Sequence, residues 1–200
     1  MSLLVSIYKF HQKIKRTCIA FESKLYTKSI AGEFKSFGSN SVLLSNTKFT
    51  NKKYISIGSN FRVEENVKID AWDEYENKKM FPEIRIGDNV SMNYSCYISA
   101  IDCVTIGNGT MMGRNVFITD HSHGKTNIYR EIPAKRPLFS KGPVEIKNNV
   151  LIGSNVCILS GTSIGENCII GANSVVRGSF PSNVCLAGAP AKIIRELVQD

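Results

Sequence analysis

At 200 residues, with 42% apolar side chains and only six prolines, the chain is long enough to bury the core of one principal domain without disulfide or metal staples. A formal charge of +8 invites anionic partners, but the basic residues are scattered, with no aromatic-basic alternation and no helix-turn-helix pattern, so nucleic acid is not expected. The six cysteines (Cys18, Cys96, Cys103, Cys157, Cys168, Cys185) form no C-x-x-C pair and no zinc-finger spacing, which fits small thiols in a reducing compartment and predicts the cytoplasm.

The first element, residues 1–35, reads as a basic helical segment. Leu3, Leu4, Ile7, Phe10 and Ile14 recur at helical spacing, with Lys9, Lys13, Lys15, Arg16, Lys24 and Lys28 around them. No long apolar run is present, so neither a transmembrane helix nor a signal peptide is expected. A basic amphipathic helix either packs against the open end of the adjoining domain or lies on an anionic membrane, at its inner face for a cytoplasmic protein. Capping is the commoner role for a terminal helix on a repeat array.

From residue 36 to 186 a six-residue register takes over. Bulky aliphatic residues recur at Ile57, Val63 and Ile69, at Ile86, Met92 and Ile98, at Ile106, Met112 and Ile118, and then without interruption at Ile146, Ile152, Ile158, Ile164, Ile170 and Val176. Two residues before each of the last five stands Val150, Val156, Thr162, Cys168 or Ser174. Strand alternation puts both members of each pair on one face, so every hexapeptide holds one short strand. Asn149, Asn155, Gly161, Asn167 and Asn173 keep a single phase of the repeat, as do Asn89, Gly109 and Asn115 upstream, and these residue types accept the left-handed backbone of a corner. A strand and a corner every six residues predict an all-β solenoid with an aliphatic ladder inside. The step from Ile98 to Ile106 is eight residues, which predicts a bulge at a corner. Residues 119–142 lack periodicity and are rich in His, Arg, Lys, Pro and Gly, which predicts a protruding loop; such loops are commonly functional. Gly107 and Gly109 begin a G-x-G-x-x-G, but Met112 breaks it and no P-loop occurs, so a dinucleotide fold is not expected. Residues 187–200 read as a C-terminal tail.

The hexapeptide register, T-D-H-S-H-G at 119–124, I-G-A-N-S-V-V at 170–176 and A-G-A-P-A-K-I-I at 187–194 together resemble the left-handed β-helix acetyltransferases that use acetyl-coenzyme A. Coverage runs from about residue 40 to the C-terminus. The D-H-S-H-G form and R-G-S-F-P-S-N-V at 177–184 look most like bacterial sugar O-acetyltransferases of lipopolysaccharide O-antigen and capsule synthesis. The resemblance implies a left-handed parallel β-helix, an exception to the right-handed crossover rule, assembled as a homotrimer with sites between subunits. It implies His121 as the essential histidine, Asn93 as the asparagine accompanying the acceptor, and coenzyme A contacts at Ser154, Ala172, Arg177 and Lys192. Two departures stand out: Leu151 replaces a tryptophan common before I-G, and an acceptor-binding aspartate of the galactoside enzymes has no counterpart.

The chemistry matches these residue types. A sugar hydroxyl attacks a thioester only if a base removes its proton as the bond forms, and imidazole suits that task near neutral pH. The oxyanion needs donors, expected from backbone N–H groups of a corner, and the coenzyme's phosphates need cations such as Arg177 and Lys192. His121 and His123 would face the same way in an extended segment, which leaves His123 as an alternative base or acceptor contact; with only His11 to add, a catalytic metal is not expected. Asp120 would face away from His121 if the segment is extended, so it is expected to orient the loop or contact the acceptor and is a weaker candidate for a charge partner. The expected activity is an acetyl-CoA-dependent O-acetyltransferase acting on a sugar of a surface polysaccharide or its precursor. The alternatives are a xenobiotic or amino-sugar N-acetyltransferase, or a non-catalytic hexapeptide scaffold.

Overall fold

The computed structural model describes residues 3–125 and 130–198. The chain winds around three flat parallel sheets in strict rotation. The first face has seven strands, from Ser36–Phe37 to Ser179–Phe180, and the third has six, from Lys48–Thr50 to Val175–Val176. The second face runs from Arg62–Val63 to Val184–Gly188, and Ala191–Glu196 folds back on it antiparallel as the seventh strand. The segment 187–200 therefore contains the edge strand of this face. The whole is a left-handed parallel β-helix with an N-terminal helix, as the register predicts.

Registers are set by the ladder. Ile98, Ile118, Ile158 and Val176 pair directly from coil to coil on the third face, and all four are fully buried. Each buried aliphatic side chain contributes about 1.5–3 kcal/mol relative to exposure. The smaller partners Val150, Val156, Thr162, Cys168 and Ser174 are buried beside them. The corner residues behave as their types require: Asn149, Asn155, Asn167 and Asn173 have φ between 57° and 60°, and Gly161 has φ 73°. Their side chains also form ladders, Asn115 to Asn155 and Asn155 to Asn173, each at 3.0 Å.

The helix Leu3–Ile30 closes the N-terminal end only with its last turns. Thr27 Oγ1 accepts from Leu43 N–H at 2.9 Å, and Tyr26 donates to the Thr47 carbonyl at 3.1 Å. Beyond it Phe34 plugs the core against Phe37 and Phe49, with ring centroids 5.2 and 5.0 Å away. From Leu4 to Glu22 every residue except Gln12 is exposed, so this part does not cap.

Candidate active site

The edge between the third and first faces is where coils depart from regularity. An antiparallel hairpin, Glu74–Tyr75 with Lys78–Lys79, leaves it between Ala71 and Glu83. The loop 119–142 leaves it from a later coil as a second hairpin, Ser122–His123 with Leu138–Phe139. Where the second excursion rejoins the prism, and on the two coils beyond it, three X-Gly pairs stack: Lys141-Gly142, Ser160-Gly161 and Arg177-Gly178. The glycines have φ of 133°, 73° and 96°, which a side chain would resist. Together with His121 and Ser122 these pairs line an open cleft of about 490 Å³.

Asp120 organises the cleft. Its side chain is fully buried and His121 is 11% exposed. The carboxylate accepts from Ile101 N–H at 3.0 Å and Asp102 N–H at 2.8 Å, which holds the two-residue bulge anticipated between Ile98 and Ile106. Its Oδ1 also lies 2.9 Å from His121 Nδ1, with Thr119 Oγ1 at 3.2 Å. This corrects one expectation. Asp120 does not face away from His121, because the strand Phe117–Thr119 ends and the chain bends at Asp120, where strand alternation no longer applies. A carboxylate only accepts hydrogen bonds, so a neutral His121 in this arrangement would carry its proton at Nδ1 and its lone pair at Nε2.

His123 goes elsewhere. It is exposed, is not among the residues lining the cleft, and packs edge-on against Tyr75 with centroids 5.4 Å apart. Tyr75 in turn donates to the Ala134 carbonyl at 2.6 Å, tying the two hairpins together. The eleven extra residues between Ile69 and Ile86, beyond one hexapeptide step, carry this hairpin, and its Tyr75 escapes a reading of the aliphatic register alone.

Of the implied coenzyme contacts, only Arg177 shares the cleft with His121. Asn93, Ser154 and Ala172 lie on a different one of the three long edges, between the second and third faces. Successive coils stack there: Asn93 N–H bonds Met112 O, Gly153 N–H bonds Ile170 O, and Asn173 N–H bonds Ser154 O. Gly153 permits that packing, since a Cβ would lie 2.6 Å from Ala172 N. Arg114, absent from the expected set, also lies here, over the Tyr94 ring and with its N–H on Ser154 Oγ at 3.2 Å. Lys192 pairs with Ala187 at the last coil of the same edge. Burial pushes the Cys96 and Cys157 thiols up from their ordinary range, which disfavours either as a nucleophile.

A family profile described as bacterial transferase hexapeptide, six repeats, matches residues 143–178. The Escherichia coli (strain K12) protein WbbJ, named as a putative lipopolysaccharide biosynthesis O-acetyl transferase, is 38% identical over 147 residues, 71% of each chain. The chain belongs to the hexapeptide-repeat acyltransferase family. Among solved structures, a galactoside acetyltransferase in complex with coenzyme A is 27% identical, covering 84% of this chain and 68% of its own, with a TM-score of 0.56. A variant of AntD, an N-acyltransferase from Bacillus cereus in complex with dTDP-4-amino-4,6-dideoxyglucose and coenzyme A, has a TM-score of 0.74 at 19% identity and covers 88% and 90%. That second likeness is one of fold. As a hexapeptide-repeat acyltransferase, the protein is an enzyme, which sets aside the scaffold alternative.

Proposed function

We propose that the protein transfers acetyl from acetyl-coenzyme A to a sugar hydroxyl of a surface polysaccharide or its precursor. The observation that carries this reading is the buried Asp120 carboxylate on His121 Nδ1 beside a cleft edged by Arg177 and Lys141. Named functions of the relatives support it: an O-acetyl transferase of lipopolysaccharide biosynthesis and a galactoside acetyltransferase holding coenzyme A.

In this reading His121 Nε2 takes the hydroxyl proton as the acceptor oxygen bonds to the thioester carbonyl carbon. Backbone N–H groups of a corner steady the oxyanion. The carbon-sulfur bond then breaks, and His121 returns the proton to the departing thiolate. Asp120 keeps the imidazole in one tautomer and stabilises its charged form. Tyr75 and His123, packed together outside the cleft, would meet only the outer part of a large acceptor. Arg177 lies two coils above His121, about 10 Å along the axis for strand spacings near 4.8 Å, in line with a coenzyme running toward the later coils. Ser154, Ala172 and Lys192 would receive it from the opposite edge, with Asn93 at the acceptor end.

Because His121 and Asn93 occupy different edges of one prism, they meet in a single site only across a subunit boundary. That supports a homotrimer with each site shared by neighbours. We place the reaction in the cytoplasm, where acetyl-coenzyme A is available.

The test is to incubate the enzyme with acetyl-coenzyme A and a panel of sugar and glycan acceptors while following free thiol. Stoichiometric thiol release with an alkali-labile acetyl ester supports the reading. An alkali-stable amide would shift it to nitrogen transfer, and the absence of thiol release with every acceptor would defeat it.

A further inference from the structure

We propose that the projecting N-terminal helix is a docking element for an anionic lipid surface. It is 28 residues long, about 42 Å at the usual rise, yet only its last turns touch the solenoid. Ser23 and Thr27 mark the packed side and are buried. Two residues away from each, about 200° round the helix, Phe21 and Leu25 continue a stripe that steps by three and four through Ile7, Phe10, Ile14 and Cys18. The five large side chains of that stripe are between 47% and 65% exposed. Such a row of apolar groups on one surface calls for a cover.

Charge selects the cover. The helix carries Lys9, Lys13, Lys15, Arg16, Lys24 and Lys28 against the single acid Glu22. Lys13, Lys24 and Lys28 follow one margin of the stripe, and Lys15 lies beyond the other. A second copy of the helix laid along the stripe would set mainly lysines against lysines, with Glu22 alone as an acidic partner of the kind paired helices use at their flanks. A bilayer with anionic head groups supplies the opposite charge to the margins and hydrocarbon to Ile7, Phe10, Ile14, Phe21 and Leu25. Among the described residues no helix is long and apolar enough to cross a membrane, which matches an element lying in the interface. The Thr27 and Tyr26 bonds fix the helix to the N-terminal end of the solenoid, so docking would hold the clefts near the lipid surface.

The test uses the full chain and vesicle flotation, with phosphatidylcholine alone or with about 30% phosphatidylserine, at roughly 0.1 M and 0.5 M salt. The parent should bind the anionic vesicles at least about tenfold better than the neutral ones and come off at the higher salt. The triple variant Phe10→Ser, Ile14→Ser, Phe21→Ser should lose at least about tenfold in binding. Lys13→Gln with Lys24→Gln should weaken binding to anionic vesicles while leaving any neutral binding unchanged. Acetyl-coenzyme A affinity, measured by calorimetry, should be the same in all of them, so docking and catalysis fail separately. No parental binding at either salt, or equal binding by the triple variant, would overturn the proposal. So would a fall in oligomer size of the triple variant together with no vesicle binding by the parent, which would assign the stripe to a second copy.

Discussion

Asp120 shows how one side chain joins fold to chemistry. Its two oxygens receive two backbone N–H groups and an imidazole N–H, all donors, in a site closed to water. Asparagine has the same shape but turns an NH2 toward at least one of those donors. Asp120→Asn should therefore lower turnover by about a hundredfold to ten-thousandfold, through the wrong imidazole tautomer. It should also cost about 1–3 kcal/mol of stability for each buried donor left without an acceptor. His121→Ala should lose as much turnover with a smaller loss of stability, since Asp120 keeps both backbone partners. Steady-state kinetics beside urea unfolding separates the two, and an Asp120→Asn enzyme with parental turnover would remove Asp120 from the mechanism. Arg177→Ala should weaken acetyl-coenzyme A binding, and added salt should weaken the parent in the same sense; unchanged affinity would detach Arg177 from the coenzyme. The motif singled out His121 in the sequence, and its role is what these variants test. Its contact with Asp120 was not legible, because the bend at Asp120 reverses the direction that strand alternation assigns.

At the scale of elements, the ladder and its corners were readable because both repeat. A coil gives one strand little room to choose: Ile158 has Ile118 below and Val176 above. Ile158→Ala should cost about 2–5 kcal/mol, measured by chemical unfolding. The corners separate backbone strain from side-chain bonding. Asn155→Ala loses the Asn ladder and forces a Cβ residue without a local polar partner to φ 59°, whereas Asn155→Gly loses only the ladder. The alanine variant should be the less stable by about 1 kcal/mol; equal stabilities would mean that the ladder, not the dihedral, makes the corner. The hairpin carrying Tyr75 was less legible. It interrupts the register without a repeat of its own, and its Tyr75 meets His123, far along the chain. The X-Gly pairs at 141–142, 160–161 and 177–178 offered a usable signal, one coil apart, that marks the cleft edge.

On the scale of the whole molecule, the prism separates the residues that the proposed reaction would bring into one site. His121 and Arg177 line one edge, while Asn93, Ser154 and Ala172 stack on another, and no rearrangement within one solenoid brings them together. The sequence implied both groups of residues but gave no means of seeing that they lie on different edges, since that depends on how coils are distributed around the corners. A shared site makes a quantitative demand. His121→Ala and Asn93→Ala should each be inactive alone, yet co-expressed in equal amounts they should form mixed trimers in which about a quarter of the sites combine an intact His121 edge with an intact Asn93 edge. Acetyl transfer by the purified mixed oligomer is the most direct measurement, and the expected result is recovery of about a quarter of parental turnover. Substantial activity in the His121→Ala enzyme by itself, or an active and stable monomer of the parent, would contradict the account.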